Sequence, residues 1–218
     1  MEFLQFIQGI DDTVVIFFQL VSSVFFKNLM AFFSAIQSDG ALWIGIAVVF
    51  AVLALLKKID KKGFYVAGGI VLALGIDIVL CLLLKEIFPR PRPYIDIPNV
   101  VLWIDPQPGT SFPSAHSSTA FAAATALALL VPKRIKKPSD PSAIGVLPGS
   151  EPMKKNYYFI AVIAAYVVAA LIALSRVALC VHYFSDAVCG IVIGILCGIA
   201  VAYFVNLFYK KQTAKEKK

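Results

Sequence analysis

The residues from Ser175 to Asp186 contain an arginine, a histidine and an aspartate at a spacing that suits phosphate chemistry. His182 and Asp186 are four residues apart, so a helical arrangement places them on one face. An aspartate beside an imidazole can accept the proton of one ring nitrogen and leave the other nitrogen free to attack. Arg176 is a fixed cation suited to forked recognition of phosphate oxygens. The segment therefore suits a nucleophile, its orienting residue and an anion clamp, the alternative being a surface histidine beside a surface aspartate.

The composition indicates a membrane protein. The chain has 218 residues, of which 60% are hydrophobic and 12% aromatic, and its mean hydropathy is +0.83. This apolar fraction is far above that of a soluble domain. The formal net charge of +7 would also suit a nucleic-acid partner, but the positions of the charges argue against one. The four cysteines lie in or beside apolar runs without a CxxC pair, so we interpret them as packing residues.

The hydropathy pattern predicts an all-α polytopic membrane protein, a single domain over 1–218 with six transmembrane helices. An interfacial helix over 1–10 comes first, because its apolar residues recur at helical spacing and its polar residues fall elsewhere. Six apolar runs follow, each long enough or nearly long enough to cross a bilayer. These runs are 13–37, 41–56, 63–84, 114–131, 157–174 and 187–209, and the basic tail over 210–218 follows the last of them.

The basic residues predict how these spans are oriented, since cytoplasmic segments of membrane proteins carry an excess of lysine and arginine. Fifteen of the 20 basic residues fall in the tail and in the loops after the second and fourth spans. This asymmetry predicts a multi-pass protein of the cytoplasmic membrane with both termini in the cytoplasm. One lysine, Lys27, lies within the first span. The cations left for the outer side are Lys85, Arg90, Arg92 and Arg176.

The second histidine, His116, begins the fourth predicted span on the same outer side. Pro113 and Ser114 precede the apolar run, so Ser114 is a candidate helix N-cap. The N-terminus of a helix presents free N–H groups and the positive end of the helix dipole, which makes it an anion site. Taken alone, His116 would suit an interfacial histidine. Its position beside His182 and the four outer cations instead predicts an active site on the outer face.

Three segments carry a family resemblance. The string KEIFPRPRP from Lys85 looks like K-x6-RP, PSAH from Pro113 is similar to PSGH, and SRVALCVHYFSD from Ser175 fits SR-x5-H-x3-D at every fixed position. In order, spacing and predicted topology the chain resembles the type 2 phosphatidic acid phosphatase (PAP2) superfamily of membrane phosphatases. The six predicted spans extend this resemblance to nearly the whole chain.

The resemblance implies a role for each matching residue. His182 would be the nucleophile that takes the phosphoryl group, Asp186 would fix its tautomer, and His116 would protonate the leaving oxygen. The phosphate oxygens would be held by Lys85, Arg92, Ser114, Arg176 and the backbone N–H of Ala115. Ala115 replaces the usual glycine of the family, so binding persists if the position does not require a positive φ. No metal or other cofactor is expected, because there is no third histidine, no H-E-x-x-H motif and no carboxylate cluster.

The expected function is removal of phosphate from a membrane lipid, with undecaprenyl diphosphate as the first candidate substrate. Phosphatidylglycerophosphate and phosphatidic acid are alternatives, as are a lipid phosphotransferase that uses the same phosphohistidine and a non-enzymatic lipid-binding relative. No nucleic acid and no protein partner is expected. Arg90 suits a second phosphate, a lipid headgroup or plain solvation. Asp77, inside the third span, suits a functional acid, a contact with a neighbouring helix or a pairing with Lys27.

Overall fold

The computed structural model describes residues 2–131 and 155–215. Within these ranges the regular elements are helices and no strand occurs, which confirms the predicted all-α class. The predicted basic loop over 132–156 falls almost wholly outside the described residues, as does the end of the tail. The helices are α1 (Glu2–Val21), α2 (Val24–Ile36), α3 (Ala41–Leu55), α4 (Lys62–Ile87), α5 (Pro93–Asp96), α6 (Ala115–Leu130), α7 (Lys155–Ala178) and α8 (Phe184–Lys215), with a 3₁₀ turn at Ser38–Gly40.

Several of these helices are long and apolar enough to cross a membrane. In the described part of the chain α1, α4, α8 and the Phe159–Ala178 part of α7 meet this condition. The α2–α3 pair meets it as one unit that is bent by 50°. Helix α6 has 16 residues and is shorter than an ordinary span of about 20 residues, but it is buried at the centre of the bundle. The protein is therefore an integral membrane protein, and the number of six spans stays a prediction.

The N-terminal region differs from the predicted arrangement. Residues 2–21 form one continuous helix, so the break expected after residue 10 is absent and the chain turns at Ser22–Ser23 instead. The Ser23 side chain accepts a hydrogen bond from the Phe26 N–H and thereby caps α2. Hydropathy alone does not distinguish a serine that lies between two helices, as Ser23 does, from a serine within one continuous span.

Both histidines lie at one end of the bundle, which we call the histidine end. It is formed by residues 85–116 and 176–186, and α1 packs on it. Asp11 of α1 accepts a hydrogen bond from the Ser185 N–H at 2.8 Å, and Gln19 donates one to the Val101 carbonyl oxygen at 3.0 Å. Basic residues occupy the opposite end, where the Lys62 ammonium group lies 5.5 Å from the centre of the Tyr209 ring.

Helices α6 and α8 pack closely because glycine recurs at every fourth position of α8, at Gly190, Gly194 and Gly198. A Cβ atom added to Gly190 would lie 2.6 Å from the Ser114 carbonyl oxygen, and one added to Gly194 would overlap the Ser118 carbonyl group. Stripes of small residues allow helix backbones to approach each other within a membrane. This contact sets the first turn of α6 against the first turn of α8, and so brings two of the sequence motifs together.

We expect Gly194→Ala to lower the melting temperature of the detergent-solubilised protein, because the added methyl group would meet the backbone of Ser118, which cannot rotate away. Overpacking of this kind destabilises a protein by about 1–3 kcal/mol. Gly75→Ala is the matched control, since nothing lies within 4 Å of a Cβ atom at that position, and alanine is the better helix former. Equal melting temperatures for the two variants would contradict the close α6–α8 contact.

Asp77 makes a contact with a neighbouring helix, which is one of the alternatives predicted for it. Its side chain is fully buried and accepts a hydrogen bond from the Ser118 hydroxyl at 2.7 Å. Lys27 lies elsewhere, with its ammonium group 4.4 Å from the centre of the Trp103 ring. Asp77 therefore contacts a neighbouring helix, and joins α4 to the first turns of α6.

Candidate active site

His182 lies in the short turn between α7 and α8, where the end of α7 determines its position. The backbone N–H groups of Val181 and His182 both donate to the Arg176 carbonyl oxygen, at 3.2 and 3.1 Å, and Cys180 reverses the chain with a φ of 58°. These bonds leave the His182 side chain only 3% exposed. The nucleophile predicted from the sequence is therefore held within the protein at the histidine end.

The two nitrogens of the His182 ring have different surroundings. Nε2 lies 3.2 Å from Nη1 of Arg92, and a guanidinium group has only donors, so Nε2 must be the unprotonated nitrogen. The ring proton is therefore on Nδ1, which lies 3.7 Å from Oδ2 of Asp186. This distance is longer than a hydrogen bond, and catalytic hydrogen bonds of substrate-free sites are commonly long.

Burial lowers the pKa of His182 to about 3. The carboxylate of Asp186 acts in the opposite direction, whereas the charges of Arg176 and Arg92 lower the pKa further. The imidazole is therefore neutral near pH 7, and Nε2 has a free electron pair in the form that can attack phosphorus.

Asp186 connects the histidine turn to the start of α6. It is fully buried in the first turn of α8. Its Oδ1 accepts a hydrogen bond from Arg90 at 2.8 Å, and its Oδ2 accepts one from the Tyr183 N–H at 2.9 Å. Its backbone carbonyl oxygen accepts a third from the Ser114 N–H at 3.1 Å. Asp186 is thus immobilised by three partners that come from all three sequence motifs.

Three cations lie near one another at the histidine end, and one of them, Arg92, contacts His182. Arg92, 4% exposed, donates to the carbonyl oxygens of Val181 and Pro108 at 2.8 and 2.9 Å. Arg176, 2% exposed, donates to the hydroxyl of Ser34. The Nζ atom of Lys85 lies 2.6 Å from the Thr110 carbonyl oxygen, and its charge interacts with those of Arg92 and Arg176.

This group of cations indicates an anionic ligand. Burial lowers the pKa of Arg92, because a protein interior disfavours a charge whose hydrogen-bond partners are neutral carbonyl groups. The guanidinium Nε of Arg176 is buried and has no hydrogen-bond partner among the described residues. A phosphate group placed between these side chains would neutralise their mutual repulsion and supply acceptors for the remaining donors.

The start of α6 supplies the remaining predicted groups. The Ser114 hydroxyl accepts a hydrogen bond from the Ser117 N–H at 3.4 Å, so Ser114 is the N-cap that the sequence predicts. The N–H groups of the first turn, including that of Ala115, have no partner within the helix. Ala115 does not adopt a positive φ, so its side chain is compatible with the site. His116 is half-buried and close enough to Arg176, Arg92 and Lys85 to interact with their charges.

The structure therefore gathers all of the predicted site residues at the histidine end. Sequence reasoning missed their partners Asp11, Ser34 and Gln107. Ser34 contacts Arg176 over 142 positions of the chain, and Gln107 accepts a hydrogen bond from the same arginine at 3.3 Å. The only sequence feature that could have indicated these partners was a polar residue within or near an apolar run. The described residues include no group of three or more histidine, cysteine, aspartate or glutamate side chains suited to a metal ion.

The fold and the site together define a membrane-embedded protein with buried cations gathered at the same end of the bundle as its two histidines. The model of the PAP2 superfamily matches residues 66–210, well over half of the chain. The chain therefore belongs to the PAP2 superfamily and is a membrane-embedded phosphatase. No curated protein matches the sequence.

Two solved structures resemble this one in fold. The transmembrane PAP2-type phosphatidylglycerolphosphate phosphatase from Bacillus subtilis is 24% identical, with a TM-score of 0.68, over 90% of this chain and 85% of that protein. LpxE from Aquifex aeolicus is 23% identical, with a TM-score of 0.59, over 87% of this chain and 92% of that protein. Because these similarities extend over nearly the whole of each chain, they confirm the predicted fold.

Proposed function

We propose that this protein hydrolyses a lipid phosphate or diphosphate through a phosphohistidine on His182, without a metal ion, and that undecaprenyl diphosphate is the substrate. The observation that carries the proposal is the buried His182 ring, whose unprotonated Nε2 lies 3.2 Å from Arg92. A guanidinium group beside the attacking nitrogen is placed to bind an oxygen of the phosphoryl group under attack. Phosphoryl transfer needs this combination of positioning and charge stabilisation.

In the first step the Nε2 electron pair of His182 forms a bond to phosphorus, and the bond from phosphorus to the leaving oxygen breaks. The negative charge of the bound phosphate offsets the neighbouring cations and favours the protonated form of His116. His116 donates that proton to the leaving oxygen, and the lipid product departs. The cationic ring is then stabilised by the carboxylate of Asp186, towards which Nδ1–H points. Arg92, Arg176 and the N–H groups of the first turn of α6 hold the phosphoryl oxygens in both steps.

In the second step a water oxygen attacks phosphorus and the bond to Nε2 of His182 breaks. The water proton moves to His116, which regains the proton that it donated earlier. The products are inorganic phosphate and the dephosphorylated lipid, or the lipid monophosphate when the substrate is a diphosphate. The enzyme returns to its initial protonation state, so the cycle is complete without a further reactant.

An apolar cavity supports a lipid substrate. It has a volume of about 730 Å³ and is lined by side chains of α1, by Phe88 and Phe112, and by the first turns of α8. Phe112 immediately precedes the PSAH motif, and Arg90 of the first motif segment also lines the cavity. The choice of undecaprenyl diphosphate over phosphatidylglycerophosphate or phosphatidic acid is supported by the family resemblance alone.

We expect the detergent-purified protein to release phosphate from lipid phosphates in the presence of excess chelator, fastest from undecaprenyl diphosphate. The reason is that side-chain cations occupy the positions where a magnesium ion would stabilise the phosphoryl oxygens. A panel with undecaprenyl diphosphate, phosphatidylglycerophosphate and phosphatidic acid tests both parts. Loss of activity on chelation that magnesium restores would contradict the mechanism. Transfer to an acceptor lipid without free phosphate would indicate a phosphotransferase.

The site is proposed to face the outer side of the cytoplasmic membrane, because the described basic segments lie at the opposite end of the bundle. In that orientation α1 also lies on the outer side, since Gln8, Asp11 and Gln19 all contact the histidine end. This placement revises the prediction of two cytoplasmic termini: the start of α1 would be outside and the end of α8 inside. The amphipathic α1 would then lie in the membrane interface rather than cross the bilayer.

We expect a membrane-impermeant maleimide, applied to intact cells that carry single-cysteine variants, to label Glu2→Cys and Trp103→Cys. Lys58→Cys should react only after permeabilisation. The native cysteines are replaced beforehand in all three variants. Protection of Glu2→Cys with labelling of Trp103→Cys would instead show that α1 crosses the membrane, and labelling of Lys58→Cys in intact cells would contradict the orientation.

A further inference from the structure

Arg90, which falls outside the fixed positions of the family motifs, bridges two buried carboxylates. Its Nη1 donates to Oδ1 of Asp186 at 2.8 Å, and its Nη2 donates to Oδ2 of Asp11 at 2.7 Å. Both aspartates are fully buried, whereas the Arg90 side chain is 21% exposed. The guanidinium carbon also lies 3.8 Å from the centre of the Tyr183 ring. Arg90 is therefore held on three sides, which excludes the plainly solvated arginine considered above.

Asp11 connects this arginine to the first turn of α8. Its Oδ1 accepts a hydrogen bond from the Ser185 N–H at 2.8 Å, and its Oδ2 accepts one from the Ser185 hydroxyl at 2.5 Å. Asp11 thus caps the Ser185 N–H in the first turn of α8 from a distant helix. Residue 11 also precedes the 66–210 region matched by the family model. Asp11 therefore contributes a contact from α1, outside the three motif segments, to residues within them.

We propose that Arg90 and Asp11 are positioning residues that hold the Asp186 carboxylate in the orientation required by His182. This inference rests on the proposed function of His182 as the nucleophile. Asp186 has two oxygens, and Arg90 binds the one that faces away from the imidazole. With that oxygen held, the other stays directed at Nδ1–H, in the tautomer in which Nε2 is free. Asp11 maintains the arginine in place by binding the second arm of its fork.

The geometry separates this role from phosphate binding. Both arms of the guanidinium fork are occupied by carboxylates, and Nη2 makes a further contact with Oε1 of Gln8 at 2.6 Å. A second phosphate of the substrate would have to displace these partners from Arg90 and leave two buried carboxylates unpaired, which is strongly unfavourable. The positioning role therefore predicts a defect in turnover that is the same for monophosphate and diphosphate substrates.

The test compares Arg90→Gln and Asp11→Asn with the wild type in turnover and in KM, on one lipid monophosphate and one lipid diphosphate. We expect Arg90→Gln to lower kcat on the order of 10–100-fold, as loss of a residue that orients a catalytic group does, with KM nearly unchanged for both substrates. Asp11→Asn should lower kcat less, because Arg90 remains. Arg90→Lys should restore only part of the activity, since an ammonium group keeps the charge but lacks the planar fork.

A second readout follows the His182 ring directly. The chain has only two histidines, so ¹⁵N-labelled histidine gives few signals, and a His116→Gln background assigns them. The wild type should show His182 with its proton on Nδ1. Arg90→Gln should keep that tautomer, because Arg92 still faces Nε2, but its Nδ1 resonance should shift because the Asp186 carboxylate is no longer held beside Nδ1–H. This measurement needs no substrate, so it decides the inference even if the substrate panel shows no turnover.

Gln19→Ala is the matched control, because Gln19 also joins α1 to the histidine end but does not contact the Asp11–Arg90–Asp186 group. It should leave kcat and the Nδ1 resonance unchanged. Equal losses in Gln19→Ala and Asp11→Asn would show that docking of α1 alone matters and would overturn the inference. So would a rise in KM confined to the diphosphate, or an unaltered Nδ1 resonance in Arg90→Gln. If Arg90→Gln does not fold, Asp11→Asn, which keeps the arginine, decides between the same outcomes.

Discussion

His182→Ala is expected to abolish phosphate release from every lipid substrate, with a loss on the order of 10⁴–10⁶-fold, as for other enzymes that lose a nucleophile. The physical reason is that Nε2 of His182 has a free electron pair beside Arg92, in a buried position suited to attack on phosphorus. His116 is at the start of α6, in the place of the proton donor. Rapid-quench trapping with a radiolabelled substrate provides the measurement, because a phosphohistidine is labile to acid and stable to base.

The wild type should therefore yield an acid-labile phosphoprotein, and His182→Ala should yield none. A matched melting temperature for the two proteins is the control for folding. An acid-stable phosphoprotein, or a labelled phosphoprotein in His182→Ala, would contradict the proposed nucleophile. Release of phosphate by His182→Ala at a rate near that of the wild type would show that water attacks phosphorus directly.

The second large effect is expected for His116→Ala, whose defect should depend on the leaving group. Loss of a general acid slows a reaction on the order of 10²–10⁴-fold when the leaving oxygen needs a proton. A lipid monophosphate releases an alkoxide, which needs that proton. An aryl phosphate with an acidic phenol does not, so its turnover by the same variant should be much less affected. A lipid diphosphate should be intermediate, because a phosphate monoester leaves more easily than an alkoxide.

The measurement is the ratio of wild-type to His116→Ala turnover for these three substrates. Arg92→Ala is the comparison, since Arg92 is placed against phosphoryl oxygens that all three substrates share, and its ratio should be similar for each. If His116→Ala loses the same factor on the lipid and on the aryl phosphate, His116 is not the acid, and its role at the start of α6 is in binding.

The sequence by itself determined the class of the protein and most of its helices. Hydropathy adds up along the chain, and helix hydrogen bonds join residues four apart, so both can be evaluated without knowledge of the fold. Ser114 was predicted as an N-cap and is one, because capping is also local. The motif residues were predicted by the resemblance, and the structure places them together although their roles stay proposals.

What only the tertiary structure decided are the contacts between distant segments. Glycines at every fourth position of α8 are visible in the sequence, but the sequence does not say that they face α6 rather than lipid, because in lipid either choice satisfies the backbone. The predicted end of the first helix at residue 10 was wrong for a related reason, since α1 continues to Val21. Apolar residues facing a bilayer and apolar residues facing the protein have the same hydropathy.

The partners of Arg90 show most clearly where local reasoning ends. Asp11 and Asp186 lie 79 and 96 positions away from it in the chain. Asp11 looks like an ordinary acid beside an apolar run, and the Asp186 motif does not indicate Arg90 as a partner. Burial makes their pairing with Arg90 necessary, because a carboxylate removed from water requires a charged or hydrogen-bonding partner. Which cation meets that requirement depends on the packing of α1 over α8, and packing is a property of the assembled helices rather than of any one segment.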